Sequence, residues 1–132
     1  MMRRSDIEGW LREYFRCWRE KDSKALANLF TPEAIYRSSP FREPYRGTEA
    51  IQSYWARATH SQKGIVVRVG TPVCEGDRVA VEWWAIWNEE GNPVTLPGCL
   101  VLRFSSDKRC EELREYWHHE SAIRDPPESW GA

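Results

Sequence analysis

Near the end of the chain stands the run Leu113-Arg114-Glu115-Tyr116-Trp117-His118-His119. A glutamate and a histidine in reach of one another can exchange a proton near neutral pH, where imidazole titrates. A tyrosine hydroxyl beside them, such as that of Tyr14, can hydrogen-bond a carbonyl or enolate oxygen. Glu115, His119 and Tyr14 are therefore the candidate catalytic set, and that chemistry needs no cofactor. A metal is not expected: no third ligand stands at helical or hairpin spacing from His118 and His119, and adjacent histidines on a strand diverge. Glycine-rich phosphate loops, a G-x-S-x-G elbow and a zincin motif are missing from the sequence.

Whether Glu115 can act depends on the strands that carry it. A two-residue turn at Asp107-Lys108 sets Phe104 against Glu111, Leu102 against Leu113 and Leu100 against Glu115. Leu100, Leu102, Phe104, Leu113 and Trp117 then share one face, which must be the covered one, and Glu115 points inward among them. A carboxylate there is costly unless it is paired, wet or functional. By the same parity His119 follows Trp117 to the inner side, unless the strand has already bent, in which case His118 is the alternative.

The elements before this hairpin read as helices first and strands afterwards. Ser5-Asp6-Ile7-Glu8 has capping-box spacing. Ile7, Trp10, Leu11, Tyr14, Phe15 and Trp18 follow along one helical face. Tyr14 and Trp18 lie one turn apart on it. Asp22 caps a short helix with Leu26, Leu29 and Phe30, and Thr31-Pro32 ends it. Ala34-Ile35-Tyr36 is a short strand on which Tyr36 and Ser38 share parity. A loop runs from Ser38 to Gly47, and Thr48 caps a third helix bearing Ile51, Tyr54, Trp55 and Ala58. Strands are expected over residues 65–73, 79–87, 94–104 and 110–117. Three helices and an antiparallel meander imply an α+β fold with helices on one face of a curved sheet.

Eight tryptophans, five tyrosines and four phenylalanines are many for 132 residues. They suit a heavy core or an aromatic-lined ligand cavity. Val79, Val81, Trp83, Ala85 and Trp87 alternate with Ala80, Glu82, Trp84 and Ile86, so both faces of that strand are apolar. The expected second cover is another subunit, giving a homodimer through Trp84 and Ile86. Residues 124–132 form an extended tail, marked by Pro126-Pro127, whose Trp130 is placed to fold back on the body.

The length fits one domain over residues 1–132. Formal net charge is -1, with both signs scattered, so neither nucleic acid nor an acidic membrane is an expected partner. No stretch is apolar and long enough for a bilayer span, and the N-terminus has no signal-peptide core. Cys17, Cys74, Cys99 and Cys110 are too widely spaced for a disulfide framework and suit reduced thiols in the cytoplasm.

Two segments, Tyr14-Phe15-Arg16-Cys17-Trp18-Arg19-Glu20-Lys21-Asp22 and Ala25-Leu26-Ala27-Asn28-Leu29-Phe30-Thr31-Pro32-Glu33-Ala34, resemble the opening of SnoaL-like and steroid delta-isomerase proteins of the nuclear transport factor 2-like superfamily. Tyr45-Arg46-Gly47-Thr48-Glu49-Ala50-Ile51 is similar to the family's third-helix start. Leu102-Arg103-Phe104 and Leu113-Arg114-Glu115-Tyr116-Trp117 are similar to its last two strands. The resemblance implies a cone of curved sheet and helices around a pocket, and a dimer. It places Trp55, Trp83, Trp87, Glu115 and Trp117 on the pocket side and Tyr14 at the oxyanion-hole tyrosine. The steroid isomerase base falls at Ser38, which cannot take a proton from carbon unaided, and its second acid falls at Leu100, so that chemistry is not expected. Substrate contacts are therefore expected from Trp18, Tyr36, Ser38, Trp55, Trp83, Trp87, Leu100, Trp117 and His118. Two readings stand: a cofactor-independent lyase, isomerase or hydrolase acting on a small apolar cyclic or polyketide-like substrate, or a carrier that binds a small apolar or aromatic ligand without turning it over.

Overall fold

A computed structural model describes residues 2–132. The first helix, α1 (Arg4–Glu20), buries Ile7, Trp10, Leu11, Tyr14, Phe15 and Trp18 along the stripe that their spacing requires. Its cap lies earlier than Ser5. The helix begins at Arg4, and the Asp6 carboxylate accepts the Arg3 backbone N–H at 3.0 Å. Arg3 and Asp6 have the same three-residue spacing as Ser5 and Glu8, and the earlier pair is the one used. Asp22 caps α2 (Ser23–Ala27) by accepting the Ala25 N–H at 3.1 Å. Thr48 is the first residue of α3 (Thr48–Thr59), not its cap. Gly47 takes that place with a φ of 84°, a left-handed value that favours glycine.

Among the described residues seven strands form one curved, unclosed sheet in the order β2-β1-β7-β6-β5-β3, with β4 also paired to β5. They are β1 (Phe30–Arg37), β2 (Tyr45–Arg46), β3 (Gln62–Val69), β4 (Val73–Glu75), β5 (Arg78–Glu89), β6 (Asn92–Phe104) and β7 (Cys110–Trp117). Thr31-Pro32, expected to stop a helix, lies inside β1. The ladder with β7 breaks between Phe30 and Ile35, so Pro32 is not asked for an N–H it lacks. The strand expected over 65–73 is divided: β3 ends at Val69, and β4 starts at Val73 beyond Gly70-Thr71-Pro72. Most pairings are antiparallel, but β1 runs parallel to β7, which sets Tyr36 opposite Leu113.

The long hairpin keeps the expected register over most of its length. Leu100 faces Glu115, Leu102 faces Leu113 and Cys99 faces Tyr116. The tip departs from it. A bulge between Arg103 and Phe104 pairs Phe104 with Cys110 instead of Glu111, with Lys108 at a φ of 67°. On the inner face Leu100, Leu102, Phe104, Leu113, Val79, Val81, Trp83 and Ala85 are all buried beneath the helices. On the outer face the tail folds back onto the body, as expected of Trp130. Its residues cross that face, with Trp130 edge-on to Trp84 at 5.9 Å between ring centroids. The four cysteines are unpaired. None of the helices among the described residues is long and apolar enough to cross a membrane.

Candidate functional site

Three elements meet at one polar point inside the aromatic core. β7 carries Glu115 inward, β1 carries Tyr36 and α1 carries Tyr14. Tyr14 and Tyr36 are wholly buried and Glu115 is 8% exposed. The Tyr36 hydroxyl donates to a Glu115 carboxylate oxygen in a short hydrogen bond. The Tyr14 hydroxyl stands 3.0 Å behind it, hydrogen-bonded to that of Tyr36. No cation pairs with Glu115 among the described residues. Burial dominates and lifts its pKa to about 7, against the smaller lowering effect of the Tyr36 and Tyr14 hydroxyls. Burial, together with the adjacent carboxylate, pushes both phenols well above their ordinary value, so they stay protonated. The arrangement is a carboxyl that can hold or give up a proton near neutrality, backed by two hydroxyls that stabilise its charged form.

Aromatic side chains fill the space around this relay. Trp55 meets Tyr14 edge-on at 5.7 Å and Trp18 at 5.3 Å, and Trp83 meets Trp18 at 5.3 Å. Trp87 packs on Trp18 at 6.0 Å, and Leu100 is buried opposite Glu115. The ring of Trp83 lies directly on the backbone of β6. A Cβ on Gly98 would stand 2.3 Å from its Cζ2, so that position tolerates only glycine. The cavity expected inside the cone is therefore occupied by the protein's own rings. An open pocket of about 640 Å³ lies instead at the rim, lined by Ser39, Pro40, Phe41, Glu82, Pro97, Gly98, Cys99, Tyr116, Trp117 and His118.

Trp117 stands between the rim and the interior. It is partly buried, and its indole N–H donates to the Ser38 carbonyl at 2.7 Å. Ser38 is 2% exposed, and its hydroxyl is among three buried side-chain polar groups without a hydrogen-bond partner among the described residues. The other two are the indole N–H groups of Trp55 and Trp83. The Trp18 and Trp87 indoles are satisfied, by Gln62 at 2.8 Å and Glu89 at 3.2 Å.

The histidines do not join this site. β7 ends at Trp117, and His118 and His119 are both exposed beyond it. Strand parity lapses where the ladder stops, so it does not carry His119 inward. His118 reaches the rim pocket instead. The side chain that stands beside Glu115 is Tyr36, not His119. That pairing joins residues far apart in sequence through the parallel β1–β7 ladder, and the clue available was that both side chains belong to the inner face. Among the described residues no three His, Cys, Asp or Glu side chains converge as metal ligands.

The same architecture occurs in solved structures. One is described as an epoxide hydrolase/cyclase-like enzyme, SalBIII, in pyran ring formation in the polyether salinomycin. It matches with a TM-score of 0.74 at 20% identity, over 84% of this chain and 89% of that one. A Mycobacterium tuberculosis protein matches with a TM-score of 0.77 at 13% identity, over 89% and 95%. A putative SnoaL-like polyketide cyclase from Shewanella denitrificans matches with a TM-score of 0.73 at 15% identity, over 84% and 89%. At these identities the likeness is one of fold. No match is found among the curated proteins. The SnoaL-like domain family model matches residues 11–113. With helices, sheet and hairpin all inside or adjoining that span, the chain belongs to the SnoaL-like domain family.

Proposed function

We propose that this protein exchanges a proton with a small, largely apolar cyclic or polyketide-like molecule, using Glu115 as its acid–base group, with the whole chain working as one domain. The observation that carries the reading is a buried carboxyl with a pKa of about 7 whose polar partners are tyrosine hydroxyls. A structural carboxylate at such a depth is ordinarily held by a cation. In this reading Glu115 takes a proton from carbon or gives one to oxygen, and Tyr36 and Tyr14 stabilise its ionised form. Proton exchange of this kind needs no cofactor. The unpartnered N–H groups of Trp55 and Trp83 and the Ser38 hydroxyl are available to carbonyl or ether oxygens of the bound molecule. In this reading Trp117, partly buried beside the rim pocket, is the gate. The polyketide cyclase and the cyclase-like enzyme that share the fold make this substrate class a natural one. The unpaired cysteines suit a cytoplasmic setting.

A second reading, a carrier, is favoured by the filled interior and the outward histidines. Two measurements separate the readings. In a carboxyl-carbon NMR titration, assigned with Glu115→Gln, Glu115 should titrate at about 7; an ordinary carboxylate midpoint overturns the acid–base role. With cyclohexanone in deuterium oxide, the wild type should accelerate α-proton exchange about 10²–10⁴-fold, and Glu115→Gln should lose that gain. Binding without acceleration in both proteins supports the carrier.

A further inference from the structure

Where β1 meets β7, three arginines share one carboxylate. Arg37 Nε donates to Glu112 at 3.1 Å and Arg114 Nε at 3.4 Å, and the Arg103 guanidinium stands 3.9 Å away. Burial of Glu112 opposes its ionisation, but the contacts with Arg37 and Arg114 outweigh that and hold its pKa below the ordinary value. The arginines are permanently charged. Three positive charges against one negative therefore leave this corner of the molecule with an excess of positive charge. Among the described residues none of the three arginines has another carboxylate in ion-pair range.

Arg37 and Arg114 are also direct neighbours in the parallel β1–β7 register. Like charges side by side on adjacent strands repel. Glu112 engages Arg37 through Nε, which leaves both terminal nitrogens of Arg37 without an acceptor among the described residues. Beside the pair opens a cleft of about 240 Å³, lined by Arg37, Pro40, Arg114, Glu115 and Tyr116. Pro40 and Tyr116 are at the same time walls of the larger rim pocket, where Phe41 is fully exposed. The cleft offers positive charge, and the adjoining rim offers apolar and aromatic surface.

We propose that this junction binds a phosphate monoester with a small aromatic body. The phosphate sits in the cleft between Arg37 and Arg114, and the body lies against Pro40, Phe41 and Tyr116. Guanidinium forks match phosphate oxygens, and a phosphate monoester brings nearly two negative charges where a carboxylate brings one. Glu112 holds the two arginines in place and competes with the ligand for them. The Glu115 carboxyl turns inward to Tyr36, so this site does not rest on the acid–base reading of the interior.

Phenyl phosphate, titrated by calorimetry into the full-length protein at low ionic strength, tests the assignment. It should bind at one site per chain, about tenfold more tightly than either benzoate or inorganic phosphate. Arg37→Gln and Arg114→Gln should each weaken it by about tenfold. Arg57→Gln removes the same charge from the exposed side of α3 and should leave the affinity unchanged. Glu112→Gln should tighten binding several-fold, a gain that no damaged fold can produce. The proposal is overturned if phenyl phosphate fails to bind at millimolar concentration, or if inorganic phosphate binds equally well. It is overturned as well if Arg57→Gln weakens binding as much as Arg37→Gln, since the protein would then be drawing anions by general charge.

Discussion

Trp83 and Trp84 are neighbours in β5 and face opposite sides of the sheet. Trp83 is 1% exposed, wedged against Trp18 and the Gly98 backbone, and nothing in its surroundings can leave without leaving a hole. Trp84 is partly buried, and its covering is a terminal segment held by a few hydrogen bonds and one ring contact. One face is closed by interlocking rings from α1, α3, β1 and β5, joined through the whole fold. The other is closed by a strap that can detach while the sheet stays intact. The Glu115 carboxyl lies on the locked face, where burial raises its pKa and the Tyr36 and Tyr14 hydroxyls stabilise its charged form.

The comparison breaks most readily at Trp83. Truncation to Ala should cost about 3–5 kcal/mol, because a large ring is removed from a site whose other walls are fixed. Urea denaturation would show it as a lowered midpoint with an unchanged slope. A loss no larger than a surface substitution gives would mean that the interior is looser than its ring contacts imply.

A somewhat smaller effect is expected from Glu115 and pH. Its folded pKa of about 7 is raised above the ordinary value of 4.5, so the folded protein holds a proton that the unfolded chain has lost between those values. The stabilisation is therefore complete below the unfolded pKa and is lost as pH rises through the folded one, a change on the order of 3 kcal/mol. Glu115→Gln should remove that slope. A wild-type stability that is flat or rising between pH 5 and about 7, once the same profile for Glu115→Gln is subtracted, would show that the carboxyl is not desolvated.

The locked face was largely legible in the sequence; of the strap, only the return of Trp130 to the body was. Opposing residues in an unbulged stretch of hairpin have constant summed positions, so the turn expected at Asp107-Lys108 sets Leu100 against Glu115, and alternation then sends both inward. The helical stripe from Ile7 to Trp18 is equally local. Legibility failed where a local rule met a rival of the same form or reached its end. Ser5-Glu8 and Arg3-Asp6 have identical cap spacing, and only the position of the first turn decides between them. The bulge at Phe104 shifts one residue at the tip while leaving the register below it intact. His119 lies two residues past the last strand residue, where alternation has no ladder to enforce it. Tyr36 and Glu115 meet only because β1 joins β7 in parallel, a long-range pairing that no spacing encodes. Trp130 reads as part of an extended tail, but its seat on Trp84 and Arg68 depends on how the sheet is already folded.

The smallest predicted effect probes the strap while leaving its ring contact in place. Trp84→Phe keeps an aromatic surface for Trp130 but removes the N–H that donates to the Arg124 carbonyl. A single hydrogen bond of this kind contributes about 0.5–1.5 kcal/mol, and at a partly wet site the freed carbonyl can turn to water, so the lower end applies. Global stability should therefore change little. Local opening should respond more, because the segment is anchored at few points and exchange reports on its detachment rather than on unfolding. The amide of Thr71, which donates to the Gly131 carbonyl, is the reporter at the far end of the strap. Its hydrogen exchange should quicken in Trp84→Phe while the amides of β6 and β7 keep their wild-type rates. If Thr71 and the central strands quicken together, the strap is part of the cooperative core, and the contrast between the two faces of β5 fails.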